Sequence, residues 1–376
     1  MGLVRCAEED ETAVEELRRM ILGELEDDDG GFEGGGGRMW KGERRRGIPG
    51  KRMEAGAAER VERRMPVCVT SGVSYIGWAI ADRLMRRGYT VRLVVETGDD
   101  LAMLGETGAF EGTEASRIFP VVVNMMEMSS LCEAFDGCAG VFHTSAFLDT
   151  AGISGYTKHM AVKEASVAGK VVEACVLTSS VRTCVFTSSL LACIWRQYPG
   201  LARRSVSTLV DESCWSDENL CTDKKLWLAL GKTMAEKAVW RAARGKDLKL
   251  ATLCPALITG PGFCARNPTS TIAYLKGGRE MYAEGLLATT DVSRVAEAHV
   301  RVYEAMGGSA AGRYICFDHI VRSDRDAAEL CRGAGLAEHL SIIEGGSDVA
   351  PHFQLSNDKL RRLLSSRHCF VSDLIR

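Results

Sequence analysis

Val67-Cys68-Val69-Thr70-Ser71-Gly72-Val73-Ser74-Tyr75-Ile76-Gly77 begins as a β-branched run, breaks on small residues and then turns amphipathic. Ile76, Ile80 and Leu84 recur four residues apart on one helical face. Gly88 stands where a helix C-cap belongs, and a second β-branched run follows at 90–95. A strand, a crossover helix and a second strand form the unit that joins parallel strands. The alternation continues with runs at 119–123, 140–143, 183–187 and 249–254, separated by helical text. The pattern predicts an α/β chain built on a doubly wound parallel sheet. From about Asn267 the text is more mixed, with a helical stretch at 292–306 and a strand-like 313–317, where a smaller C-terminal lobe is expected.

The whole chain has 376 residues, 46% of them apolar and 26% charged, enough for one large core and an appendage. This excludes collagen-like, mucin-like and wholly disordered classes. Residues 1–65 hold 12 of the 39 glycines, two aromatics (Phe32 and Trp40), and 13 basic against 16 acidic side chains. Such a segment buries too little apolar surface to offset its ordering entropy and reads as a disordered tail, with one helical spacing at 13–25 that could dock on the body or on a protein partner. Gly2 followed by Cys6 resembles a lipidation signal, although Cys6 stands where Ser or Thr is expected. The net charge of -3 comes entirely from the tail, so the body offers no footprint for nucleic acid. There is no apolar run of about 18 residues and no secretory leader, so the expected location is cytoplasmic and off the membrane. Fourteen cysteines, scattered from Cys6 to Cys369 without CxxC or zinc spacing, read as reduced core thiols with no metal.

The turn that ends the first strand lies where a nucleotide enzyme brings backbone amides to a pyrophosphate at a helix N-terminus, which makes 66–262 a Rossmann-type dinucleotide-binding domain and 263–376 the substrate lobe, with the Asp291 region reaching back to the core. Ser71, Gly72, Ser74, Tyr75, Ile76 and Gly77 are the candidate contacts. Gly77 provides the close helix-to-strand approach, while Ser71 and Ser74 stand where glycines are expected and add hydroxyls that can bond phosphate. Taken alone, the turn also reads as an ordinary strand-to-helix turn of small residues. Glu96, ending the second run, would accept from ribose hydroxyls and repel a 2′-phosphate, favouring NAD(H).

Three later motifs occur in order: Val185-Phe186-Thr187-Ser188-Ser189, Asp211-Glu212-Ser213-Cys214-Trp215-Ser216-Asp217 and Gly231-Lys232-Thr233-Met234-Ala235-Glu236-Lys237. With Val141-Phe142-His143-Thr144-Ser145, Cys254-Pro255, Ile258-Thr259-Gly260-Pro261, Asp291-Val292, Ala298-His299 and Leu355-Ser356-Asn357-Asp358-Lys359-Leu360, they span 66–364. On these the chain resembles the plant extended short-chain dehydrogenases/reductases, among them cinnamoyl-CoA and dihydroflavonol reductases, and most of all the cinnamoyl-CoA reductase-like, defence-associated subgroup. The resemblance implies NADP(H)-dependent hydride transfer to a phenolic or CoA-thioester carbonyl in phenylpropanoid and lignin metabolism. It gives Ser189 the substrate carbonyl, Lys232 the nicotinamide ribose, and Thr144, Pro255 and Asn124 places along the cofactor.

The same resemblance implies a tyrosine four residues before Lys232, and this chain has Leu228 there, in Leu226-Trp227-Leu228-Ala229-Leu230-Gly231-Lys232. It also implies arginine at Glu96, aspartate at Asn124, and glycine at Ser71 and Ser74. Leucine has no proton for the oxyanion that hydride transfer leaves, a loss worth roughly 10²- to 10⁴-fold in rate. Two readings follow: an oxidoreductase with weak or absent turnover on cinnamoyl-CoA thioesters, or a catalytically impaired regulator that binds a nucleotide or a protein. Asn124 retains an amide oxygen for an adenine amino group. His143 reads as a packed histidine, Lys224 and Lys225 as solvated, and Trp215 and Trp227 as either core or the border of a phenolic pocket.

Overall fold

The computed structural model describes residues 65–106, 115–144, 156–197, 208–263, 267–308, 310–333 and 352–366. In chain order the strands are β1 (Val67–Val69), β2 (Val91–Val95), β3 (Ile118–Val122), β4 (Gly140–Thr144), β5 (Thr183–Thr187), β6 (Thr208–Val210), β7 (Lys249–Pro255), β8 (Leu257–Thr259), β9 (Ala288–Asp291), β10 (Gly312–Cys316), β11 (His319–Ile320) and β12 (Phe353–Leu355). Seven of them form one parallel sheet in the order β3-β2-β1-β4-β5-β7-β10. The strand order reverses between β1 and β4, and a crevice opens there at the strands' C-terminal ends.

Alternation along the strands gives each face its own core. Val67, Val69, Val91, Leu93, Phe142 and Val185 belong to one apolar cluster. Cys68, Val94, Val141, Cys184 and Phe186, which sit between or beside them, belong to the other. On the first face α1 (Tyr75–Arg86) packs against the late helix Val292–Ala305; on the second, α2 (Lys158–Leu177) packs along α3 (Trp227–Ala243). After α3 come α4 (Pro268–Leu275) and then α5, the helix Val292–Ala305 already placed. Gly88 follows α1 at φ 83°, and its N–H donates to the Met85 carbonyl at 2.8 Å, as expected of a residue that stops a helix.

The expected runs all form strands with boundaries within one residue of the sequence reading. The sequence reading missed five short strands of two to four residues, which build a three-stranded sheet (β11-β9-β8) and a parallel pair (β12-β6). Their hydrophobic alternation is too brief to show as a period. Of the eleven described cysteines all are unpaired, and all but Cys132 are buried. None of the described helices is long and apolar enough to cross a membrane. The tail, its helical spacing at 13–25, Gly2 and Cys6 lie outside the described residues.

Candidate active site at the sheet's switch point

Close approach fixes the turn after β1. Ser71 takes φ 52°, a left-handed conformation that glycine adopts freely and serine does not. The Gly72 N–H donates to the Val94 carbonyl at 2.8 Å, and a Cβ on Gly72 would lie 2.4 Å from Leu93 Cγ. A Cβ on Gly77 would lie 2.3 Å from the Ser71 carbonyl oxygen. Ser74 is the N-cap of α1, its hydroxyl accepting from the Gly77 N–H at 3.0 Å. Both glycines are therefore required by space, and the backbone is drawn in as a pyrophosphate cradle needs. The arrangement fits a dinucleotide with one modification: the Ser74 oxygen occupies the Gly77 amide, so an anion here meets a hydroxyl in place of that N–H.

The adenosine side is less simply placed. Glu96 is exposed just beyond β2, and the Asp100 carboxylate accepts from the N–H groups of Glu96 (3.2 Å) and Thr97 (2.9 Å). Partial burial pushes the Glu96 carboxyl up, Lys163 opposes this, and Asp100 adds to it. Asn124 is exposed, and its amide oxygen accepts from the Met126 N–H at 3.0 Å, so the atom expected to meet an adenine amino group is already used in an Asx turn. Thr144 is buried; its hydroxyl donates to the Thr70 carbonyl at 2.7 Å, which leaves the oxygen only as an acceptor.

Beyond the turn lies a cavity of about 80 Å³ bordered by Ser189 from the end of β5, Leu228 and Lys232 from α3, Pro255 from β7 and Tyr274 from α4, with Ser74, Tyr75 and Ile76 at its mouth. The structure thus brings Ser189, Leu228, Lys232, Pro255 and, from the turn, Ser74, Tyr75 and Ile76 to one place, and leaves Glu96 and Asn124 at the outer ends of β2 and β3. Ser189 accepts from the Leu191 N–H at 3.2 Å. The Lys232 ammonium meets the buried Glu164 carboxylate of α2 at 2.6 Å, and the Tyr156 hydroxyl donates to the other Glu164 oxygen. Sequence reasoning missed Glu164, although it is a lone carboxylate on the small-residue stripe Ala161, Ala165 and Ala168 of α2.

A second buried network supports the cavity from behind. Glu236, one helical turn after Lys232 and fully buried, accepts from Ser188 Oγ (2.6 Å), Thr252 Oγ1 (2.6 Å) and Arg313 Nε (2.7 Å) and Nη2 (3.1 Å). Arg313 also donates to the carbonyls of Glu212 (3.0 Å) and Cys214 and stacks 3.7 Å from the Trp215 ring centroid. Trp215 is therefore partner to an arginine, and Trp227 packs against the main core. Neither borders the cavity, whose rings are Tyr75 and Tyr274. Lys224, expected to be solvated, pairs with Glu280 at 2.6 Å.

Two histidines are enclosed and neutral. His143 shares a hydrogen with Thr70 Oγ1 at 2.8 Å, and burial, helped by Lys232, pushes its pKa down to about 3. His299 donates from Nδ1 to the Val295 carbonyl and accepts from Thr187, both at 2.8 Å; burial holds it at about 4 against the pull of Val295. The unfolded chain binds protons at these sites below the ordinary value of 6.5 and the folded chain does not, so stability falls as pH drops from 6.5 toward 4. Together they are expected to make the protein about 3–4 kcal/mol less stable at pH 5 than at pH 7. Urea unfolding at the two pH values tests this, and His299→Gln should remove about half of the difference.

Residues 68–315 match the model of the 3-beta hydroxysteroid dehydrogenase/isomerase family. The chain is 34% identical over 266 residues to cinnamoyl-CoA reductase 1 of Petunia hybrida, covering 68% of this chain and 73% of the relative. Its fold is similar to vestitone reductase from alfalfa (Medicago sativa L.), with TM-score 0.56, 24% identity, and 80% and 92% of the two chains covered. It is also similar to yeast methylglyoxal/isovaleraldehyde reductase Gre2 complexed with NADPH, with TM-score 0.59, 18% identity, and 81% and 94% covered. The chain belongs to the 3-beta hydroxysteroid dehydrogenase/isomerase family of extended short-chain dehydrogenases/reductases and is cinnamoyl-CoA reductase-like within it.

Proposed function

We propose that this protein is an NAD(P)H-dependent reductase of the cinnamoyl-CoA reductase type, acting slowly on the carbonyl of a hydroxycinnamoyl-CoA thioester or a related phenolic. The observation that carries the reading is the meeting of Ser189, Lys232 and Ser74–Ile76 of the turn around one cavity at the switch point of the sheet. The bound reduced nicotinamide supplies the hydride. Gly72, Ser74, Tyr75, Ile76 and Gly77 hold its pyrophosphate, Lys232 orients the nicotinamide ribose while fixed by Glu164, and Ser189 donates a hydrogen bond to the substrate carbonyl. Leu228 leaves the tyrosine's place without a proton, which accounts for the low turnover expected. In this reading the products feed lignin or defence phenylpropanoids in the cytoplasm, and the tail of residues 1–65 offers a contact for a protein partner.

Equilibrium binding of NADH and NADPH to the whole chain and to a chain lacking residues 1–65 tests the reading. Glu96 repels a 2′-phosphate, so NADH is expected at micromolar Kd and NADPH at least tenfold weaker, about 1.4 kcal/mol. A reverse preference would remove Glu96 from the cofactor's path. No binding of either at millimolar concentration would favour a second reading, a catalytically impaired regulator. That reading draws on the Ser74 hydroxyl occupying the Gly77 amide and on Glu164 holding Lys232.

A further inference from the structure

Reduction of a carbonyl ends with a proton on oxygen, and the side chain at 228 has none to give. Two phenols border the cavity, and they differ in what they do with their hydrogens. The Tyr75 hydroxyl donates to the Pro261 carbonyl at 3.2 Å. The Tyr274 hydroxyl is enclosed, its residue 5% exposed; its oxygen faces the Leu257 backbone N–H, and its hydrogen meets no acceptor among the described residues. An enclosed phenol whose hydrogen has no acceptor costs free energy, and such a group at a cavity wall is suited to an acceptor that arrives with a ligand.

The other hydrogens nearby are committed or poorly suited. Thr187 donates to His299, Ser188 donates to Glu236, and the Lys232 ammonium is held by Glu164. The Tyr156 proton lies between its own oxygen and Glu164, and His143 is fully buried and kept neutral. Among the aliphatic hydroxyls, Ser74 caps α1 and Ser189 is the group that the reductase reading gives to the substrate carbonyl. Burial pushes the Tyr274 hydroxyl up, with Cys193 adding and the Leu257 backbone opposing, so it carries its proton at every working pH.

We propose that Tyr274, reaching the cavity from α4 of the C-terminal lobe, is the proton donor that replaces the tyrosine missing at Leu228. The inference rests on the reductase reading given above. Hydride from the reduced nicotinamide forms the new C–H bond at the carbonyl carbon, and the π pair of the C=O moves to oxygen. The Tyr274 O–H breaks, and its proton goes to that oxygen. The nicotinamide is oxidised, the carbonyl is reduced, and the phenolate recovers a proton from solvent as product leaves. With a thioester the resulting hemithioacetal then breaks its C–S bond, the hydroxyl proton passing to sulfur, to give aldehyde and free thiol.

The test uses the full chain with feruloyl-CoA as the probe thioester and both nicotinamide cofactors, measuring cofactor Kd, kcat, KM and the solvent deuterium isotope effect on kcat. Tyr274→Phe is expected to lower kcat by about 10²-fold or more, with KM and cofactor Kd within roughly twofold of wild type. Adding Leu228→Tyr to Tyr274→Phe is expected to restore turnover from the other helix, which a merely structural role for Tyr274 would not allow. An unchanged kcat in Tyr274→Phe overturns the proposal while leaving the reductase reading standing. So does a wild type that binds cofactor but shows no turnover, or a Tyr274→Phe that loses rate only together with cofactor affinity or melting temperature. Failure of wild type to bind either cofactor overturns the reductase reading itself, and the role of Tyr274 falls with it.

Discussion

Leu228→Tyr is expected to raise kcat on a hydroxycinnamoyl-CoA thioester by roughly 10²- to 10⁴-fold, the range over which a positioned general acid acts, with little change in KM. Residue 228 lies one turn before Lys232 on α3 and borders the same cavity as Ser189, so under the proposed function a phenol there would face the carbonyl oxygen assigned to Ser189. The gain falls at the lower end of the range to the extent that Tyr274 already donates. Leu228 is 5% exposed, so the larger ring has a packing cost of about 1–3 kcal/mol, read as a fall in melting temperature and separable from the rate. Initial rates of cofactor oxidation for the wild type and the variant decide the matter. A variant that binds cofactor and gains nothing would mean that the nicotinamide and Ser189 do not meet the carbonyl together.

The second large effect is on stability. Arg313→Met is expected to destabilise the protein by about 3–5 kcal/mol, because it leaves the Glu236 carboxylate fully buried with only two hydroxyl donors. Arg313→Met combined with Glu236→Gln should recover most of the stability, making the two changes strongly non-additive. Chemical denaturation of the wild type, both single variants and the double variant closes the cycle. Additive losses would show that the pair is not coupled. Ser188, which donates to Glu236, adjoins Ser189, so the single variant is also expected to lose activity below its melting temperature.

The sheet was legible because its strands are long enough for β-branched runs to stand out between helices, and because the chain reverses strand order in the standard place. The meeting of Ser189 and Lys232 at one cavity was legible because the two lie in motifs with fixed spacing around a strand end and a helix. Glu164, Tyr274 and Arg313 were not. Glu164 meets Lys232, Arg313 meets Glu236, and Tyr274 reaches the cavity from a later helix; all come from parts of the chain distant in sequence, and spacing along the chain carries no record of such meetings. The partners that Asn124 and Trp215 take were not legible for a related reason. A side chain's capacity to bond or stack was read from its type, whereas the partner was decided locally by the Met126 N–H and at long range by Arg313.

The parallel pairing of β12 with β6 has a consequence for how the protein is made. Thr208 pairs with Phe353 and Val210 with Leu355, and the segment just after β6 receives the Glu212 and Cys214 contacts of Arg313. A ribosome delivers β6, Glu236 and most of the sheet well before either partner has been translated. Until residues 313 and 353–355 have been made, the nascent chain carries a carboxylate without its cation and a strand without its neighbour. A stop between residues 313 and 353 yields a chain that keeps every residue lining the cavity and lacks the strand that pairs with β6.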